Sequence, residues 1–300
     1  MMKKFLIRTS LFLGSFIGIY FIFIARFIYL SNKVSFEIEP DKNILVLGDS
    51  QGQFCISDTI VDNAYNLCRF GEGYLPNYLK LKRVLESPNH IDTLLLIFTP
   101  LKTDKNADKC DFSQETVKHM LGKYYPFFSK EEIELFPVYY LLQGVLRSVT
   151  YTDMSFESFG SSGMLFGNHI EKVIHDKNRD KKISTENFYG NRVELNYLDK
   201  ILTLCKSHYI QVVLFSPPVY RADKFYDTEN FYAIYHQKYS HLPFCDMTSV
   251  NFPDSCMADI NHLNIHGSRR VSHEVKNMGL QNFINKYPCL LYTSDAADDK

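Results

Sequence analysis

The chain lacks tryptophan altogether, lacks any excess of basic over acidic residues, and lacks any C-x-x-C pair. Each absence excludes something. With 33 Lys and Arg against 34 Asp and Glu, the formal net charge of the 300 residues is -1. No basic surplus exists to hold a nucleic-acid backbone, so nucleic acid is not expected as a partner. The seven cysteines, Cys55, Cys68, Cys110, Cys205, Cys245, Cys256 and Cys289, are spaced unlike the ligands of a structural zinc site. Cys245 and Cys256 are near enough in sequence to be disulfide candidates in an oxidising compartment; buried free thiols are the alternative. No internal repeat is present. The composition is that of a folded protein, 45% hydrophobic and 22% charged, which argues against disorder. A 15% aromatic share made of 24 Phe and 20 Tyr suits a thick core or a sugar-facing surface. The length suffices for one sizeable domain plus an anchor.

The long apolar run lies at the start. Residues 11–30 are interrupted only by Ser15, Arg26, glycines and tyrosines. At 1.5 Å rise per residue, about 20 such residues cross a hydrocarbon core of roughly 30 Å. Lys3, Lys4 and Arg8 precede the run, and the positive-inside bias then keeps the N-terminus cytoplasmic and sends the rest across. Arg26 sits where its side chain can snorkel to the far interface. A cleaved signal peptide is the alternative, but the run exceeds the usual h-region of about 7–15 residues and no Ala-x-Ala site follows. Both readings place the main domain outside the cytoplasm. Residues 1–36 are therefore assigned to a cytoplasmic tip, a single transmembrane anchor and a linker, and residues 37–288 to the folded domain. Residues 290–300 share no pattern with what precedes and resemble translated adaptor read-through, so 289–300 is set apart as a non-native tail.

Within the domain, short aliphatic runs stopped by Gly or Pro predict buried strands at 43–47, 93–98 and 210–215, with a weaker one at 243–247. Near-continuous apolar strands are what a parallel sheet covered on both faces requires. Helical periodicity over 74–85, 193–205 and 268–278 lies between and after them. The alternation predicts right-handed βαβ crossovers and an α/β, three-layer sandwich with a mostly parallel sheet. Residues 102–190 fit less well. Their best helical signal, 130–149, is interrupted by Pro137, and a mixed-charge stretch runs through 172–182. This segment is expected to be an insertion or lid.

Two short blocks carry chemistry. Gly48-Asp49-Ser50 follows the first strand. That position puts the Ser50 hydroxyl at the carboxyl edge of the sheet and at a helix N-terminus, where backbone N–H groups can stabilise an oxyanion. An ordinary helix cap would use the same residue types. Asp259-Ile260-Asn261-His262 is the second block, followed by Leu263, Asn264 and Gly267. A hydrolytic serine needs a base, and the base needs an orienting carboxylate. Three-residue spacing lets Asp259 reach one imidazole nitrogen of His262 and leaves the other for Ser50. A capped loop with a surface histidine is the plain alternative. His266 adds an Asp/His/His spacing that a metal could use, but a surface histidine is the ordinary explanation, and neither metal nor cofactor is expected.

Taken together, a Gly-Asp-Ser block closing the first strand and an Asp-x-x-His block before the last helix resemble the SGNH/GDSL hydrolase superfamily. The resemblance spans residues 43–278 and is specific at its two ends. It implies a flavodoxin-like α/β fold with Ser50 as nucleophile, His262 as base and Asp259 as its orienting acid. Asp259-x-x-His262-Leu263-Asn264-x-x-Gly267 is similar to the version in bacterial envelope proteins that handle acyl groups on polysaccharides. The family's second block supplies an oxyanion glycine, matched best by Gly71 and next by Gly73, and Gly71 would act with the Ser50 N–H. Its third block supplies an Asn, where this chain has Phe98-Thr99-Pro100-Leu101. Asn66 and Thr99 are substitute donors to test, and Asp49 and Asn264 are weaker candidates within the blocks, Asn264 and Gly267 being read as turn residues rather than catalysts.

The resemblance implies a periplasmic serine esterase or O-acyltransferase held in the cytoplasmic membrane by its N-terminal helix. Its substrate would be an acylated glycan or small ester, and a membrane-bound acyl-transfer partner would fit beside it. The missing third-block Asn keeps open a catalytically inactive binding or scaffold protein on the same fold.

Overall fold

A computed structural model describes residues 2–103, 114–148, 155–168 and 193–289. The 172–182 stretch, Cys110 and the tail from residue 290 lie outside them, as do parts of the 102–190 segment. In chain order the helices are α1 (Met2–Lys33), α2 (Ser50–Gln53), α3 (Tyr74–Leu85), α4 (Pro100–Thr103), α5 (Gln114–Tyr124), α6 (Lys130–Glu134) and α7 (Val138–Ser148). They continue with α8 (Val193–Ser207), α9 (Ala222–Phe225), α10 (Thr228–Ile234), α11 (Ile265–Met278) and α12 (Leu280–Lys286). The strands are β1 (Ile44–Leu47), β2 (Ala64–Asn66), β3 (Thr93–Ile97), β4 (Gln211–Ser216) and β5 (Phe244–Asp246). The chain divides into two compact units, one of residues 1–36 with 112–158 and one of 37–111 with 159–300.

The second unit is built on an all-parallel five-stranded sheet of order β2-β1-β3-β4-β5. Four strands fall where the aliphatic runs predict them. β2 is the strand that the sequence hides. It is three residues long, Ala64-Tyr65-Asn66, and pairs with Ile44, Leu45 and Val46 of β1. An edge strand this short needs no aliphatic run, so periodicity gives no signal.

β1 is buried at every position. One face, with Ile44, Val46, Leu95, Ile97, Val213 and Phe215, joins a core with Val271 and Val275 of α11 and Phe283 and Ile284 of α12. On the other side of the pleat Leu45, Leu47, Leu94, Leu96 and Leu214 are buried too. Full burial of each such side chain contributes about 1.5–3 kcal/mol before conformational entropy is subtracted. The strand order reverses between β1 and β3, and at such a point the carboxyl ends of the strands open a crevice. Ser50 stands at the carboxyl end of β1.

Cys245 and Cys256 are both buried free thiols, as are Cys55, Cys68 and Cys205. Burial pushes the Cys55, Cys68 and Cys245 thiols well above their ordinary range and Cys205 up to about 12. These are packed hydrophobes rather than thiolates.

The first unit is helical. α1 is the one described helix long and apolar enough to cross a membrane. Pro137 separates α6 from α7, as the sequence predicts. Ser129 caps α6 in a capping box with Glu132, whose carboxylate accepts from the Ser129 backbone N–H at 2.8 Å. α5 and α7 pack closely because Gly144 presents bare backbone; a methyl there would collide with Leu121. Phe27 of α1 stacks on Tyr125 with ring centroids 5.6 Å apart, and Phe36 meets Phe127 edge-on at 6.1 Å.

Candidate active site

The turn between β1 and α2 sets the first component. Gly48 and Gly52 let the turn lie against β3, since a Cβ at either would collide with the Ile97 side chain. Asp49 is the N-cap of α2, and its carboxylate accepts from the Gln51 N–H at 2.9 Å. Ser50 is the first residue of α2, so its N–H is among those a helix leaves without an intrahelical acceptor.

The second component is the turn before α11. The Met257–Leu263 bridge closes it, and the His262 carbonyl accepts from the Ala258 N–H at 2.8 Å. Asn264 then caps α11 by accepting from the N–H groups of His266 and Gly267. The turn is latched to α2 by the Gln51 side-chain amide, which donates to the Asn261 carbonyl at 3.2 Å.

These two components meet. His262 Nε2 is 2.8 Å from Ser50 Oγ. His262 Nδ1 is 2.9 Å from each oxygen of Asp259. Asp259 Oδ1 also accepts from the backbone N–H of Asn261 at 2.7 Å and of His262 at 3.0 Å. Burial alone would raise the Asp259 carboxyl. Hydrogen bonding and charge from His262, together with the two backbone donors, outweigh it and hold the group below the usual aspartate range. An ionised Asp259 fixes the proton of a neutral His262 on Nδ1 and turns a lone pair on Nε2 toward the serine.

Two aromatic rings flank the histidine. Phe54 packs edge-on at 5.7 Å and Phe70 lies nearly parallel at 6.3 Å between centroids. Phe70 is 67% exposed, an unusual position for a large apolar ring beside a polar cluster. Motif reading misses it, along with Gln51, although both adjoin residues it singles out.

Gly71 follows Phe70 at φ +73°, a conformation glycine adopts without strain, and a Cβ there would meet open space. Its loop is tied to the nucleophile turn, because the Arg69 N–H donates to the Gly48 carbonyl at 3.2 Å. Buried charges hold the loop from beneath. Lys80 pairs with Glu72 at 2.7 Å and donates to the Leu67 carbonyl at 2.6 Å. Lys102 donates to the Glu72 carbonyl at 3.0 Å and faces Asp49 at 3.7 Å. Glu194 accepts from the Tyr74 N–H at 2.6 Å.

Three weaker candidates have their polar groups engaged elsewhere. Asn66 is one. Both protons of its buried amide go to the carbonyls of Gly52 and Ile56, at 3.0 and 2.6 Å, and its oxygen accepts from the Cys68 N–H. Asp49 is occupied in capping α2 and facing Lys102, and Asn264 in capping α11 and donating to the carbonyls of Ser255 and Met257. Thr99 is fully buried, and its hydroxyl has no hydrogen-bond partner among the described residues. His266 is exposed, and no metal-holding group of three His, Cys, Asp or Glu occurs among the described residues.

No protein-family model and no curated protein matches the chain. Among solved structures, a Streptococcus pneumonia protein described as "a putative platelet activating factor" is similar over 90% of this chain and 97% of its own, at 13% identity and a TM-score of 0.39. A likeness that slight bears on neither mechanism nor substrate.

Proposed function

We propose that this chain is a membrane-anchored serine esterase or O-acyltransferase of the SGNH/GDSL type, with a three-layer α/β sandwich held outside the cytoplasm. The observation that carries the reading is the continuous hydrogen-bonded chain Ser50–His262–Asp259, with contacts of 2.8 and 2.9 Å. A serine, an imidazole and an ionised carboxylate in that order are the components of nucleophilic acyl transfer. Ser50 Oγ attacks the ester carbonyl carbon as its proton passes to His262 Nε2. The imidazolium that forms is stabilised by Asp259. The Ser50 and Gly71 N–H groups receive the oxyanion. When the tetrahedral intermediate collapses, the leaving alcohol takes the proton from His262, and Ser50 carries the acyl group. Water then yields a free acid, or a sugar hydroxyl yields a new ester, with His262 again taking the attacking proton. Tethering in the cytoplasmic membrane of a bacterium favours an acylated envelope glycan as substrate and leaves room for a membrane-bound acyl donor partner.

A second reading has its own motive. With Asn66 occupied and Thr99 where the family has Asn, the oxyanion site has one donor fewer than the family pattern. Removing one such donor typically costs about 2.7–4 kcal/mol in the transition state. A non-catalytic binding or scaffold role on the same fold accommodates that. Fluorophosphonate labelling of the full chain decides between them. Labelling of wild type but of neither Ser50→Ala nor His262→Ala supports the enzyme. Folded wild type that fails to label refutes it in favour of the scaffold.

A further inference from the structure

We infer that α7 is a second membrane element, lying with its outward apolar face among the lipid acyl chains of the bilayer that α1 crosses. The inference rests on α1 spanning the membrane and is independent of any chemistry at Ser50. α7 carries no charged residue before Arg147. Val138, Tyr139, Leu142 and Leu146 are 71%, 60%, 58% and 51% exposed, and their spacing of one, four and eight residues puts them on one helical face. The opposite side is occupied by α5, against which Gly144 is buried. A soluble surface rarely leaves such a stripe bare.

The contact with α1 identifies what covers the stripe. The Tyr20 hydroxyl donates to the Leu146 carbonyl at 2.5 Å. Tyr20 lies ten residues before Leu30, about 15 Å along the helix axis, which is about half a hydrocarbon core of roughly 30 Å. The carboxyl end of α7 therefore sits beside the apolar middle of α1, within reach of the same lipid.

A helix that ends in hydrocarbon must satisfy its last carbonyls without water. α7 shows this provision. Tyr20 serves Leu146, and the Ser148 hydroxyl donates to the Val145 carbonyl at 2.6 Å. Lys130, Glu131 and Glu134 are exposed on the preceding helix before the break at Pro137, and the one charge of α7, Arg147 in its last turn, is only partly exposed and lies off the stripe, nine residues from Val138. A charged helix followed by one whose outward stripe is uncharged suits a chain passing from headgroups into acyl chains.

The absence of tryptophan makes the test direct. Leu142→Trp, Leu146→Trp, Phe16→Trp on α1 and Tyr209→Trp, at a residue 95% exposed in the other unit, each give the full chain one tryptophan, excited beyond the tyrosine band. Each variant is reconstituted in phosphatidylcholine vesicles with and without brominated acyl chains. The expected result is blue-shifted emission at positions 142 and 146, with bromine quenching at least half of that at position 16 and none at 209. Quenching at 16 but water-like, unquenched emission at 142 and 146 overturns the inference. So does blue-shifted emission there without quenching, which would mean that a second copy of the chain covers the face. Absence of quenching at 16 refutes the spanning reading of α1 itself, and the inference falls with it.

Discussion

Replacing Asp259 by Asn probes the relay with little change of shape. Asp259 Oδ1 accepts two backbone N–H bonds, from Asn261 and His262, and both oxygens face His262 Nδ1 at 2.9 Å. An asparagine keeps the turn by placing its oxygen where Oδ1 lies. Its NH₂ then occupies the Oδ2 position and donates to Nδ1. The imidazole is forced to carry its proton on Nε2, so it presents a donor to Ser50 where catalysis needs an acceptor. The loss combines the wrong tautomer with the loss of charge opposite the imidazolium. Changes of this kind typically lower kcat by about 10⁴-fold, or about 5.5 kcal/mol of barrier. The assay is turnover of p-nitrophenyl acetate by the full chain in lipid nanodiscs, with Ser50→Ala as the baseline. KM should change little, because in the proposed reaction the substrate meets Ser50 and the oxyanion donors rather than Asp259. Stability supplies an independent readout. The folded carboxyl titrates below its unfolded value of about 3.9, so the stabilisation from ionised Asp259 is complete above that value and is lost as pH falls through the folded one. The melting-temperature gap between wild type and variant should therefore be present at neutral pH and close in acid. A variant with kcat within tenfold of wild type would refute the relay, and wild-type turnover by Ser50→Ala would refute the site.

Three further substitutions test the surroundings. Asn66→Ala should cost roughly 3 kcal/mol by orphaning the carbonyls of Gly52 and Ile56 and the Cys68 N–H. In urea titrations the midpoint should fall while kcat per folded molecule holds; a selective loss of kcat would restore Asn66 as an oxyanion donor. Gly52→Ala should cost about 1–3 kcal/mol through overpacking against Ile97 and Cys68, and fluorophosphonate labelling should slow as the Ser50 turn shifts; an unchanged melting temperature and labelling rate would contradict the packing. Phe70→Ala removes an exposed ring beside His262 and should raise KM for aryl or acyl esters with little change in kcat, the signature of lost uniform binding; an equal fall in kcat would instead assign the ring to ordering the histidine.

Much of the framework is local and therefore legible in the sequence. The apolar residues preceding Arg26 announce α1 because helix rise and bilayer thickness fix the length needed. The runs at 43–47, 93–98 and 210–215 announce β1, β3 and β4 because strands buried on both faces are apolar through their middle residues. Pro137 announces the break before α7 because it cannot continue a helix. Asp259 and His262 are three residues apart, so one turn suffices to join them.

Other features are closures between distant segments, on which local pattern is silent. Ser50 meets His262 across 212 positions only because β1 and the turn before α11 end at the same edge of one sheet. β2 is a strand by virtue of its neighbour β1, not of its own three residues. Asn66 has the right chemistry for an oxyanion donor, but the fold has already directed both of its protons to backbone carbonyls. The bare face of α7 takes its meaning from Tyr20, 126 residues away. Hydrophobic period and turn chemistry specify which elements form. Which polar groups face one another, and which are already satisfied, is set by tertiary packing, since a hydrogen bond depends on position in space and not on separation along the chain.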